Sequence, residues 1–317
     1  MQINTLKKFL TDFFDLCDYP DEAKVSLLRD FDKLWENAEC RAHFQKHIDA
    51  YEKDGSTDFN DARVRAGELA ESVGVHPYAA ELLMFCCFAR HLRVLYKIKG
   101  ISDGIWLDTV LDLRTKLMEC RAMYGVWGSF VMFWFPQYFT LERFALGRLQ
   151  YQLAPYYATK EPYTAGGATV YYSDSRALEV HIPSSGRLTE DAVLDSLRRA
   201  YKFFDKTEYM HDGILICQCS SWLLYPGLEE TLPEDSNVVR FGRDFEITQS
   251  RDDPEFGDCW RVFNKNWDHD ASALPRETTM QRCIADRLAS GKNMGSAVGV
   301  LAFDGKNILT KRKGYEK

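Results

Sequence analysis

Apolar positions in the first 140 residues recur at intervals of three and four. Phe9, Leu10, Phe13 and Phe14 form one stripe, and after Tyr19 and Pro20 the set Val25, Leu28, Phe31, Leu34 and Trp35 forms another. Residues so spaced lie on one side of a helix, so each stripe predicts an amphipathic helix with one buried face. A further helix is expected over 61–73. Pro77 stands where a helix can begin, because the N–H it lacks would be unpaired in the first turn anyway, and the AAELLMFCCFA that follows is apolar nearly all round. That helix should be central and buried. Gly100 should end it, and Asp103 should cap the next, which turns Ile105, Val110, Leu113 and Leu117 inward and stops near Gly125.

From Gly147 the period changes to two. GRLQYQLAPYY alternates apolar and polar, TVYYSD follows, and ALEVHIP alternates again after the turn-forming Ser173, Asp174 and Ser175. These read as consecutive antiparallel strands. A helix over 190–204 carries Val193, Leu194, Leu197, Tyr201 and Phe204 at helical spacing, and a strand, GILICQCSSWLL, comes after it. Beyond a short helical piece near Leu228 lie NVVRFGRDFEIT and WRVF, then a helix over 276–289 and the segment AVGVLAFDG. The expected class is α+β: an all-helical domain over 1–140, then a mixed, mostly antiparallel sheet with flanking helices over 141–317. The aromatic stretch from Trp127 to Phe139 is expected to join the two, or to wall a pocket at their junction.

The charge pattern narrows the partners. The formal net charge is -7 with both signs interspersed, so no basic stripe suits a nucleic-acid backbone. Lys311, Arg312 and Lys313 read as a solvated tail. The first residues lack the apolar core of a leader, and the most apolar run, over 125–135, falls short of the ~20 residues that span a bilayer, so neither a leader nor a membrane segment is expected. Nine cysteines, an odd number with no small-domain framework, point to a reducing cytoplasm. Cys86 with Cys87, and Cys217 with Cys219, read as small buried apolar residues.

Weak motifs fall away on spacing. Asp268, His269 and Asp270 are consecutive and cannot readily converge on one metal, so no metal is expected. Gly291-Lys292-Asn293 lacks the rest of a phosphate-binding loop, and Ser296 lacks the context of a nucleophile elbow. The informative segment is ALEVHIPSSGRLTEDAVLDSLRRAYKFF: a strand stopped at Pro183, a small polar loop with one glycine, and a helix beginning near Thr189. A helix start offers unpaired N–H groups and a partial positive charge, which suits a pyrophosphate, although Glu190 and Asp191 in the first turn oppose an anion bound directly there.

The strings GRLQYQL, EVHIPSSGRLTEDAVLDSLRRAYKFF, SSWLLYPGLEETLPEDSNVVRFGRDF and LPRETTMQRCIADRLASG, in that order, resemble a two-domain bacterial acyltransferase family with a helical N-terminal domain and a GNAT-like C-terminal domain. The resemblance covers residues 125–300. It implies an acyl-CoA cosubstrate, acetyl-CoA first, with the backbone of Val180, Ile182 and Pro183 along pantetheine and Ser184, Ser185, Gly186, Arg187, Leu188 and Thr189 around the pyrophosphate. The glycine-rich signature of ordinary GNAT proteins is reduced here to Gly186 and Arg187. The acceptor implied is a small-molecule amine that attacks the thioester directly, with no nucleic acid or membrane as partner. A pocket walled by the aromatic stretch would take the acceptor or the acyl chain.

Such an attack needs a base, and alternation along LEVHIP sets Glu179 and His181 on one face against Leu178, Val180 and Ile182 on the other. An imidazole titrates near ~6.5 and accepts a proton at neutral pH, so His181 is the first candidate base, with Glu179 orienting it or acting through water. By resemblance, Tyr225 or Ser221 stands where the proton donor for the departing thiolate is often found, and Ser220 replaces a histidine that many members carry before the Ser-Trp pair. The rival expectation is a catalytically inactive GNAT-like fold that binds a small molecule or a protein.

Overall fold

The apolar stripes of the first half lie on helices α1 (Ile3–Leu16), α2 (Asp21–Glu36), α3 (Ala38–Asp54), α4 (Phe59–Glu71), α5 (Pro77–Ile98) and α6 (Asp103–Tyr124), followed by a short α7 (Pro136–Phe139) and the strand β1 (Arg143–Leu146). This is a computed structural model, and it describes residues 3–313. The chain divides into two compact units between Ala145 and Leu146.

In the first unit α5 is the axis. Every residue from Leu82 to Ala89 is buried, which is why its sequence is apolar all round. On α2 the buried stripe is Ala23, Leu27, Phe31, Leu34 and Trp35, while Val25 is 70% exposed, so the periodicity holds but is one residue out of phase at its start. The cap of α6 is Ser102, whose side chain accepts from the Ile105 N–H; Asp103 pairs instead with Arg93 at 2.8 Å. Phe139 packs edge-on against Phe85 and Phe88 and lies 6.2 Å from Phe59, so the end of the aromatic stretch is built into the helical core.

The second unit is built on a sheet whose strands β2 (Leu149–Pro155), β5 (Arg176–His181), β7 (Ile214–Ser221), β9 (Met294–Phe303) and β8 (Glu246–Asp253) lie side by side in that order. The helix α8 (Glu190–Phe203) connects β5 to β7, with the short strand β6 (Met210–His211) before β7; α9 (Asn237–Arg243), α10 (Cys259–Phe263) and α11 (Thr279–Ala289) complete the chain order. NVVRFGR and WRVF are therefore helical. The last helix starts three residues later than its sequence predicts, because Thr278 and Gln281 form a reciprocal capping box. The strands around TVYYSD do not run on consecutively either: β3 (Tyr163–Ala165) and β4 (Ala168–Val170) form their own hairpin, and β2 pairs directly with β5.

Pairing is antiparallel except between β5 and β7, which run parallel. That ladder holds only Leu178↔Cys217 and Glu179↔Gln218, whereas β5 stays paired to β2 through His181↔Gln150 and β7 to β9 through Ser221↔Ala297. The two central strands part beyond Glu179 and Gln218 while each keeps its outer neighbour. One face of the sheet near this opening is apolar: Tyr151, Leu178, Val180, Cys217 and Cys219 are buried, and α8 lies against β2 with Tyr151 Oη 3.0 Å from Ser196 Oγ. The opposite face is covered at one end, where Tyr156, Ala158, Ala168 and Val170 close over Ala177, Ile214, Ile216, Val300 and Ala302.

Candidate active site

Beyond that cluster, toward the point where β5 and β7 part, the face carries polar side chains. The register sets Gln152 opposite Glu179 and Glu179 opposite Gln218, so these three share the face with His181, two residues on. His181 Nε2 is 2.9 Å from Gln152 Oε1; Glu179 accepts from the Tyr157 hydroxyl at 3.1 Å. Both are half-buried. Burial, and next the Glu179 carboxylate, push the Tyr157 hydroxyl far up, so it stays a donor. Gln218 is wholly buried: its Oε1 accepts from the Tyr157 N–H and its Nε2 donates to the Pro155 carbonyl, both at 2.8 Å. It pins the bend where β2 leaves the sheet, and that bend delivers Tyr157 to Glu179. Sequence reasoning missed Tyr157, Gln152 and Gln218. The alternation that singles out Glu179 and His181 holds no information about their partners on other strands.

Beside this group, on the same face, Ser220, Gln249, Arg251, Ser296 and Val298 line a trough of about 280 Å³. The position that departs from the family pattern, Ser220, is thus an exposed hydroxyl in its wall.

The loop after β5 runs exposed from Ser184 to Arg187, turns at Gly186 with φ +77°, and buries Leu188. A positive φ is strained for other residues, which accounts for the one glycine kept here. Thr189 caps α8, its hydroxyl accepting from the Ala192 N–H at 3.4 Å. Arg148, at the start of β2, donates from Nε to the Arg187 carbonyl at 3.2 Å. On the far flank of the α8 start, Leu188, Val193 and Phe241 floor a cavity of about 530 Å³ with Arg240, Arg243 and Lys306 on its rim.

Ser221 is the last residue of β7, and Tyr225 follows it. The Tyr225 hydroxyl donates to Asp252 at 2.6 Å, its ring faces the Arg287 guanidinium at 5.6 Å, and burial followed by the Asp252 bond raises its titration above the ordinary range. The ring lies so close to Gly227 and Gly295 that a Cβ on either would come within 2.5 Å of it. Ser221 accepts from the Leu223 N–H at 3.1 Å and caps the turn Trp222–Leu224; by alternation it faces away from Gln218 and Ser220. Glu179 bonded to Tyr157, His181 bonded to Gln152, and Tyr225 bonded to Asp252 are the hydrogen-bonded groups at this end of the sheet.

Other predicted features resolve plainly. Arg312 is not part of a solvated tail: it is 8% exposed, binds Glu229 and donates to the Leu224 carbonyl, while Lys311 and Lys313 remain exposed. Trp222 is buried and packs against Phe256. All nine cysteines are free, and burial drives the Cys17 and Cys120 thiols up to about 12, Cys259 to about 11 and Cys87, Cys217 and Cys219 higher still, so none of these is a ready thiolate nucleophile. Asp270 caps the turn Ala271–Ala273, Asp268 binds Lys265, and His269 reaches Glu255. Among the described residues His43, His47 and Asp61 bring donor atoms within 4.8 Å of one another; these are already taken up by Ala62, Thr57 and Lys46 and by the His47–Asp61 bond. No helix of the described residues is long and apolar enough to cross a membrane.

Two family models match the chain. An N-acyltransferase N-terminal domain covers residues 8–141, and a GNAT-like C-terminal domain covers residues 144–301. No curated protein matches in sequence. Similar solved structures include an acyltransferase in complex with decanoyl-CoA and teicoplanin, at 23% identity and TM-score 0.68 over 94% of this chain and 87% of that one. Another is an acyltransferase in complex with CoA and 10C-teicoplanin, at 24% and 0.68 over 91% and 86%. A mutant acyltransferase in complex with octanoyl-CoA matches at 24% and 0.67 over the same shares, 91% and 86%. At these identities the likeness is one of fold.

Proposed function

We infer that this chain, which belongs to the two-domain N-acyltransferase family with a GNAT-like C-terminal domain, is an acyl-CoA-dependent acyltransferase that passes the acyl group to an amine by direct attack. The observation that carries this reading is the shared face of Glu179 and His181 at the point where β5 and β7 part, beside a polar trough. Strands that diverge while their outer neighbours stay paired leave main-chain donors and acceptors of 180–183 turned to the opening, where the amides of pantetheine can pair with them. The loop from Ser184 to Thr189 then meets the pyrophosphate.

In this account the acceptor enters along the trough, whose hydroxyls and Arg251 favour a polar small molecule. Its nitrogen adds to the thioester carbonyl, a C–N bond forms, and the C–S bond breaks. The proton leaving nitrogen goes to His181 or, through Glu179, to water; Tyr225, kept protonated by burial and by Asp252, returns one to the thiolate. Cys217 and Cys219, the cysteines on the strand beside the candidate site, are buried with raised thiols, which supports direct transfer over two-step transfer through either of them. Acetyl-CoA is the donor proposed first. Structures of similar fold hold octanoyl- and decanoyl-CoA, so the donor panel should run from acetyl to decanoyl. Nine free thiols fit a reducing compartment, and we propose the cytoplasm.

The test is thiol release from acyl-CoA with a panel of small amines, on the wild type and on His181→Ala and Glu179→Gln. Turnover that falls in both variants with CoA affinity retained supports the base assignment. Unchanged turnover in both removes it, and binding without thiol release from any donor and amine favours the inactive binding module.

A further inference from the structure

Arg148 carries an unmet charge. Its one hydrogen bond is from Nε to the Arg187 carbonyl, Nη1 is sealed from solvent with no partner, and among the described residues no carboxylate lies within ion-pair distance. Burial alone pulls its titration down to about 10, and no neighbouring charge offsets it. A part-buried guanidinium without a counter-charge is costly, because the water that its sealed Nη1 loses is not replaced by another partner. Other part-buried arginines of the unit are matched: Arg312 by Glu229, and Arg287 by Glu230, Thr231 and the Gly227 carbonyl.

The position suggests what completes it. Arg148 lies against the loop after β5, with its Cδ and Nε 3.8 and 3.9 Å from where a Cβ on Gly186 would be, and its bond to Arg187 fixes one carbonyl of that loop inward. The loop leads into the start of α8, where the dipole also favours an anion. Glu190 and Asp191 oppose an anion on the helix alone, so a fixed cation next to the loop supplies the attraction that the helix start lacks.

We propose that Arg148 is the counter-ion for the pyrophosphate of the CoA donor, binding it together with the amides of the Ser184–Thr189 loop. This rests on the acyl-CoA reading above. A planar guanidinium matches two phosphate oxygens at once, and an Arg–phosphate contact is among the stronger hydrogen bonds.

The test is calorimetric binding of CoA, 3′-dephospho-CoA and pantetheine to the wild type, Arg148→Gln, Arg148→Lys and, as an exposed-charge control, Arg198→Gln. Arg148→Gln should weaken CoA and 3′-dephospho-CoA on the order of ten- to a hundredfold and leave pantetheine as in the wild type. Arg148→Lys should fall between, and Arg198→Gln should match the wild type. Unchanged CoA affinity in Arg148→Gln overturns the assignment. So does an equal loss for CoA and pantetheine with a lower melting temperature of the free protein, which would make Arg148 a support for the loop. A loss for CoA that 3′-dephospho-CoA does not share moves the contact to the 3′-phosphate and overturns the pyrophosphate. If the wild type binds none of the three, the acyl-CoA reading itself fails, a result that needs no variant to recognise.

Discussion

At the scale of single residues, chemistry and support can be told apart by what each side chain holds. His181 and Glu179 each make a side-chain bond to a neighbouring strand or bend, so removing either should alter rate more than stability. His181→Ala should lower kcat on the order of a hundredfold with little change in donor affinity, a general base being worth about that much; a fall in affinity alone would contradict the role. Tyr225→Phe should lower kcat and spare the fold, since the ring still fills the space between Gly227 and Gly295, and a solvent-isotope effect on thiol release would report the lost proton donor. A different kind of residue sits in the helical unit. Burial, with His43 and Lys46 adding to it, holds His47 below the ordinary histidine value against the pull of Asp61, and burial does the same to His91. The unfolded chain therefore takes up these protons first, so the stability they add is full above pH about 6.5 and is lost as pH falls. The melting temperature should drop between pH 7 and pH 5.5, and less steeply in His47→Gln; a flat profile in the wild type would exclude it.

At the scale of elements, much was legible and the failures have physical causes. Helical spacing located α5 and α8 closely, because each buries a broad or strongly one-sided apolar surface that no local polar residue disguises. It slipped on α2, where exposed Val25 mimics a buried position, and at α6, where Ser102 and Asp103 are both competent caps and only geometry chooses between them. Alternation placed Glu179 and His181 on one face, but the pairing that gives the face its meaning is non-local: Gln218 lies 39 residues from Glu179 in the chain and meets it only through the single parallel step of the sheet. The bend held by Gln218 is the element most exposed to test. Gln218→Leu removes the partners of the Tyr157 N–H and the Pro155 carbonyl at a part-buried bend, which should cost about 1 kcal/mol of stability and loosen Tyr157 from Glu179. A melting curve unchanged by this substitution would mean the bend is held elsewhere. Thr189→Ala should cost about 1 kcal/mol through the lost cap of α8, with donor affinity reduced no more than severalfold, since the loop's own amides remain.

At the scale of the whole molecule the sequence spoke through its balance of charge and its cysteines. The net charge of -7 is spread over mixed signs with no basic stripe, and eight of the nine free thiols are buried. The two matched domains account for nearly the full length, and Arg148, a part-buried cation with no ion-pair partner among the described residues, bonds to the loop assigned to the donor, with Gly186 at its turn. These features converge on one claim, that the folded chain binds coenzyme A. Thermal melting with and without the ligand tests it without any knowledge of the acceptor. At about a hundred times the dissociation constant, CoA should stabilise the protein by ~2.7 kcal/mol and raise the melting temperature by roughly 4 °C. No shift with either CoA or acetyl- to decanoyl-CoA at millimolar concentration would contradict the account.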